Sequence, residues 1–254
     1  MADNSTESPA MTNPDGGMPV LTEQHGATVR AWDAPVRLFH WTLVTLLIMS
    51  WVSRKYGDAG LVWHKWNGYA ILVLVVWRVI WGFTGSSTAR FRSFFYWPWT
   101  AASYGIDFAL RKPRHFLGHN PLGGSVVFLM LGLVGLQGLL GLFSFYYEDE
   151  TNNGKGPLAN TISETLGNTI TSLHLTVFNI ILAIVALHIA ANLLYLLWKG
   201  ENLVGPMFTG RKPARAYEDQ QEAALAGLGR AVLALIAAVL LVFGGIMTLG
   251  GKVF

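Results

Sequence analysis

Five apolar stretches, over approximately 36–52, 61–83, 122–145, 170–198 and 231–249, constrain the fold of this chain more than any other feature. A helix that crosses a hydrocarbon core of roughly 30 Å needs about 20 predominantly apolar residues. The first stretch is short and would use Arg37 and Trp51 as interfacial anchors; the fourth is long enough to tilt or to project beyond the lipid. One such stretch could be a buried core helix, but five in 254 residues make a soluble core a poor account. The pattern predicts an all-α integral membrane protein with five transmembrane helices, the fifth of them C-terminal. Charged residues are only 13% of the chain and mean hydropathy is +0.39, whereas a soluble domain carries about 25% charged residues. A disordered chain is thereby excluded, and an ordinary soluble enzyme is a poor fit.

The charge of +3 and pI near 9.2 match a membrane protein with basic cytoplasmic loops, so no nucleic-acid partner is expected. Cysteine is absent, which removes disulfides, Fe–S clusters, thiolate haem ligation and covalent c-type haem attachment together.

Lys and Arg set the expected orientation. Arg30, Arg37, Arg90, Arg92, Arg111, Lys112, Arg114, Lys199, Arg211, Lys212, Arg215 and Arg230 would share one side of the membrane, and Arg54, Lys55, Lys65, Lys155 and Lys252 the other. The positive-inside rule places the amino terminus in the cytoplasm and, with five spans, the carboxyl terminus outside. The organisation expected is a disordered cytoplasmic tail (1–34), a four-helix core (35–198) with a cytoplasmic loop (84–121), a cytoplasmic linker (199–230), and a fifth transmembrane helix with a short outer tail (231–254). His25 reads as a solvated tail residue. Within the loop, Tyr96, Trp97, Trp99 and Tyr104 suit an amphipathic segment at the headgroup level. Glu148, Asp149, Glu150 and Glu164 against Lys155 give an acidic outer surface.

Four histidines, His40, His64, His174 and His188, lie within or at the edge of these spans, where an ionisable side chain is costly and signals function. His174 and His188 are 14 residues apart. At 100° per residue they fall about 40° short of four turns, so they share a face, and at 1.5 Å rise they are about 21 Å apart along the axis. No single ion reaches both. With alternating spans, His40 and His188 share the inner depth, and His64 and His174 the outer. Two imidazoles on facing helices fit a noncovalent haem with bis-histidine ligation, whereas mononuclear zinc or copper needs more ligands at one level. Two b-type haems stacked across the bilayer are expected. Arg78, 14 residues after His64, falls at the inner haem's depth and would either meet a haem propionate or snorkel to the headgroups. Arg37, one turn before His40, could meet a propionate too. Gly132, Gly135, Gly138 and Gly141, with Gln137 among them, read as a close-packing face. His115 and His119 read as interfacial loop residues, with Asn120 capping the third span and Pro121 in its first turn.

VRLFHW around His40, HKWNG from His64 and WRVIWGFTGS around Arg78 resemble the bacterial cytochrome b561 family, which includes the membrane cytochrome b subunit of Ni–Fe hydrogenases. LGHNPLGG, the LH and ALH of the fourth span and ENLVGPMFTGRK extend the resemblance over roughly residues 30–212. It implies a four-helix core with two haems b ligated from spans one, two and four. Cytochrome b of bc complexes matches less well, because the residue 14 after His64 is Arg78 rather than histidine. The polar tail and fifth helix depart from the shortest family members, which leaves a homo- or hetero-oligomer and the docking of partners open.

The expected function is transmembrane electron transfer between a periplasmic redox partner, cytochrome c or hydrogenase-like, and the quinone pool or an inner-side partner, in either direction. A quinone-linked superoxide oxidase is the alternative, although the acidic run at 148–150 opposes collection of a small anion at the outer face. A transporter would show internal repeats and broken helices at mid-membrane; this sequence shows no convincing repeat, and histidines near both faces suit haem better than a midplane substrate site.

Overall fold

The computed structural model describes residues 27–112, 114–145 and 154–253. His25 and the acidic Glu148, Asp149 and Glu150 lie outside the described residues. In chain order the elements are β1 (Thr28–Arg30), α1 (Ala34–Ser53), α2 (Gly57–Thr84), α3 (Pro98–Ala109), α4 (Pro121–Phe143), α5 (Glu164–Lys199), α6 (Gly205–Thr209), β2 (Arg211–Pro213) and α7 (Leu228–Thr248). Among the described residues five helices, α1, α2, α4, α5 and α7, are long and apolar enough to cross a membrane.

Local chemistry sets their ends. Asp33 accepts the Val36 amide (2.7 Å) at the start of α1, and Asn120 accepts that of Gly123 (2.8 Å) at the start of α4, each with a proline in the first turn. α5 starts at Ser163, with Glu164 in its first turn, six residues before its apolar stretch. It ends at Gly200, whose φ of +66° suits glycine, with the Glu201 amide reaching back to the Tyr195 carbonyl. At 36 residues α5 is about 54 Å long, more than the bilayer core requires.

Only residues 54–56 separate α1 from α2, so the two form a tight antiparallel hairpin. α2 packs against α1, α4 and α7, while α5 packs chiefly on α4. A Cβ on Gly138 would stand 2.6 Å from Leu72, so the glycine face of α4 allows its backbone to approach α2. At mid-height Ile71, Val75, Val134, Val177 and Ile181 form an apolar layer, joined by Leu43 and Leu47 of α1. α7 is tied to α2 by the Trp77 indole, which donates to the Ala231 carbonyl (3.0 Å).

One end of the bundle is capped. β1 pairs antiparallel with β2, Val29 opposite Lys212, and residues 214–227 run back over the 85–118 loop. The Asp219 carboxylate accepts the amides of Leu117 and Gly118 (2.7 and 2.8 Å), Thr88 donates to the Ala31 carbonyl, and Lys212 donates to that of Phe116 (2.9 Å). Residues 28–33, expected as the end of a disordered tail, are therefore ordered here. The apolar Ala31 and Trp32 are buried among Trp81, Ala89, Leu117 and Tyr217. The expected linker 199–230 is likewise folded, carrying α6 and β2. Trp97 and Trp99 lie exposed and parallel, 5.1 Å apart, as an interfacial segment would present them, but Tyr104 points inward against Phe116.

Candidate functional site

At the uncapped end, His64 of α2 and His174 of α5 face each other with ring centroids 6.2 Å apart and planes at 79°. His64 Nδ1 lies 2.9 Å from the Ser50 carbonyl and His174 Nδ1 lies 3.1 Å from the Gln137 carbonyl. A carbonyl can only accept, so each Nδ1 carries the proton and each Nε2 the lone pair. That is the tautomer a metal ligand needs, fixed by a backbone partner. The Gln137 amide nitrogen lies 3.0 Å from His174 Nε2, on the lone pair a metal would take. A Cβ on Gly141 would stand 3.2 Å from His174 Cε1, and one on Gly68, a turn beyond His64, would meet nothing within 4 Å.

Nearer the cap, His40 of α1 and His188 of α5 lie within electrostatic reach of each other. His40 Nδ1 is buried without a partner, and its ring edge meets Trp41 (4.9 Å). His188 receives Asn192, whose amide donates to the His188 carbonyl (2.7 Å) and lies 3.3 Å from Nε2. On α5 the series His174, Val177, Ile181, Val185, His188 marks one face, and on α2 the series His64, Gly68, Ile71, Val75, Arg78 marks another; the mid-height apolar layer joins them.

Arg78 does not reach the surface: its residue is 3% exposed, its guanidinium lies over Phe91 (5.0 Å) and Phe94 (5.9 Å), and Nη1 has no partner. Arg37 donates from Nη1 to the Phe208 carbonyl, leaving a buried Nε without a partner. His115 faces Glu201 at 3.7 Å on the cap's flank, and burial together with Arg215 holds its pKa below the usual histidine value.

His119 departs from the interfacial expectation. Its ring sits between Trp32 and Phe94, 4.7 Å from each, and Nδ1 is buried without a partner. Burial, with Arg78, Lys212 and His188 adding, pushes its pKa down to about 3, so it is neutral near pH 7.

Among the described residues, no group of three or more His, Cys, Asp or Glu side chains gathers around one point. Pairs of imidazoles suit an iron whose other four positions belong to a porphyrin. With a metal–imidazole bond of about 2.1 Å and a ring radius of about 1.1 Å, two rings on one metal have centroids about 6.4 Å apart, against the 6.2 Å found. The residues present fit the group.

The prokaryotic cytochrome b561 family matches residues 31–210. The chain belongs to that family. It is a multi-pass membrane cytochrome of the b type, and the family's cofactor is haem b. Among curated proteins it is similar to a probable Ni/Fe-hydrogenase B-type cytochrome subunit of Rhizobium leguminosarum bv. viciae, at 27% identity over 48% of this cytochrome and 61% of the relative. A protein of the same description from Bradyrhizobium diazoefficiens is 26% identical over 40% of this cytochrome and 51% of its own length. The cytochrome thus spans between half and two thirds of these relatives. No solved structure matches it.

Proposed function

We propose that this cytochrome carries two haems b in series, one between His64 and His174 and one between His40 and His188, and passes electrons across the membrane. The observation that carries the reading is the facing His64–His174 pair, with both Nδ1 protons held by backbone carbonyls, which leaves the lone pair of each ring on Nε2. Haem iron, when bound, supplies a one-electron couple at each level. The chain's own residues do the rest. Ser50 and Gln137 hold the ligand tautomers, Gly68 and Gly141 leave room beside the rings, and the aliphatic layer between Ile71 and Ile181 separates the two levels and excludes water. Arg78 and Arg37 offer positive charge to the His40–His188 level.

The capped end gathers Arg30, Arg90, Arg92, Arg111, Arg114, Lys199, Arg211, Arg215 and Arg230, which supports a cytoplasmic cap in a bacterial inner membrane. The His64–His174 level then lies nearer the periplasm. The names of the relatives support a hydrogenase-type redox partner; in this reading it, or a cytochrome c, is the electron donor on that side. The quinone pool or an inner-side protein is the acceptor. Pyridine haemochrome analysis of the purified cytochrome is expected to give two haems b per chain. A value near zero contradicts the reading, and a value near one removes the series of two.

A further inference from the structure

We propose that His119 and Arg78 form a single seat for a carboxylate, and that its occupant is a propionate of the haem held at the His40–His188 level. Arg78 supplies the charge and His119 a ring N–H. The proposal rests on the two-haem reading and adds to it a residue from outside the helices that bear the ligands.

Two buried groups lack what their chemistry requires. A buried arginine without a paired acid is expensive, and buried polar atoms are as a rule hydrogen-bonded. Yet Arg78 Nη1 and His119 Nδ1 are both enclosed and unpartnered. Asp33 is the acid in the electrostatic neighbourhood of Arg78, but no ion pair joins the two: Asp33 Oδ1 accepts the Val36 amide (2.7 Å) and Oδ2 the Trp81 indole (3.1 Å). Phe94 touches both members of the seat, Arg78 at 5.9 Å and His119 at 4.7 Å. The two groups therefore flank one ring. Lys212, 5% exposed and donating to the Phe116 carbonyl, adds a second cationic group to the surroundings of His119.

The cap decides the source of the carboxylate. Ala31, Thr88 and Leu117 have no exposed surface and Phe94 is 1% exposed, so a lipid headgroup or a solvent anion finds no direct way in over the cap. On the side of the His40–His188 level, His188 lies within electrostatic reach of His119. A carboxylate attached to a group between His40 and His188 arrives from that side.

The test uses the purified cytochrome loaded with haem labelled with 13C at its propionate carboxyls, read by redox potentiometry and by redox-difference infrared spectroscopy. His119→Leu is expected to keep two haems per chain, to lower the midpoint potential of one haem and leave the other unchanged, and to shift a labelled carboxylate band. The direction follows from charge: a propionate that has lost a donor favours the ferric form. His119→Gln retains an N–H and is expected to restore most of both shifts. Wild-type potentials and bands in His119→Leu overturn the proposal. A potential shift with unmoved labelled bands also overturns it, because the role is then structural. A potential that follows added phosphate or removal of lipid, with the labelled bands unmoved, assigns the seat to an outside anion and overturns the propionate. If His119→Leu does not accumulate, Arg78→Gln is read in the same way. Failure of the two-haem reading is visible separately, as wild-type protein with fewer than two haems.

Discussion

The two histidine pairs share one bundle but are built from different materials. His64 and His174 are held entirely by helices: their rings lean on the carbonyls of Ser50 and Gln137, and Gly141 leaves space for His174. The His40–His188 level draws on parts of the chain far apart in sequence. Arg78 comes from α2, His119 from the loop before α4, Trp32 from the segment after β1, and Lys212 from β2. The first level is specified by ligand geometry and the second by its surrounding charge. Substitutions at the first should change haem occupancy, whereas those at the second should change potential or local stability first.

The largest effect is expected from Gly141→Leu. A Cβ there already stands 3.2 Å from the His174 ring, and a full side chain must displace it, with overpacking costs of about 1–3 kcal/mol. The haem-to-protein ratio should fall by about half, with the remaining haem spectrally normal. Equal loss from both levels would erase the distinction.

Asp33→Ala comes next. The residue both caps α1 and accepts from the Trp81 indole, and loss of a cap alone costs about 1 kcal/mol. Thermal unfolding in detergent should begin earlier, with the His40–His188 haem released first. Release of both haems together would show that the cap and the far level unfold as one unit.

Lys212→Met removes the bond to Phe116 and should lower stability by about 1 kcal/mol. It should also lower the potential of one haem by less than His119→Leu does, measured in the same titration. A shift in the other haem would contradict the separation of the levels.

The smallest effect is expected from Gln137→Leu. It deletes the amide near His174 Nε2 but keeps the backbone carbonyl that holds Nδ1. Haem content should stay at the wild-type value. A marked loss would transfer the anchoring role to the side chain.

Much of this arrangement was legible in the letters, because hydrophobic length and helical periodicity are properties of the sequence itself. The five spans, the Asn120 cap and the depths of the four histidines follow from those two properties. The anchors at Ser50 and Gln137 were hidden, since a carbonyl is common to every residue and its use depends on how helices cross. His119 was hidden for another reason. Its loop looks polar and basic until β1, β2 and residues 214–227 close over it, and that closure is tertiary. The same closure buries Trp32, which in the sequence stands at the end of a polar tail.

The most direct measurement is the haem content and reduced-minus-oxidised spectrum of four single variants, His40→Ala, His64→Ala, His174→Ala and His188→Ala. Loss of one and the same haem from the His64 and His174 variants, and of the other from the His40 and His188 variants, is the predicted result. A crossed pattern, in which His64 and His188 share a haem, would contradict the account.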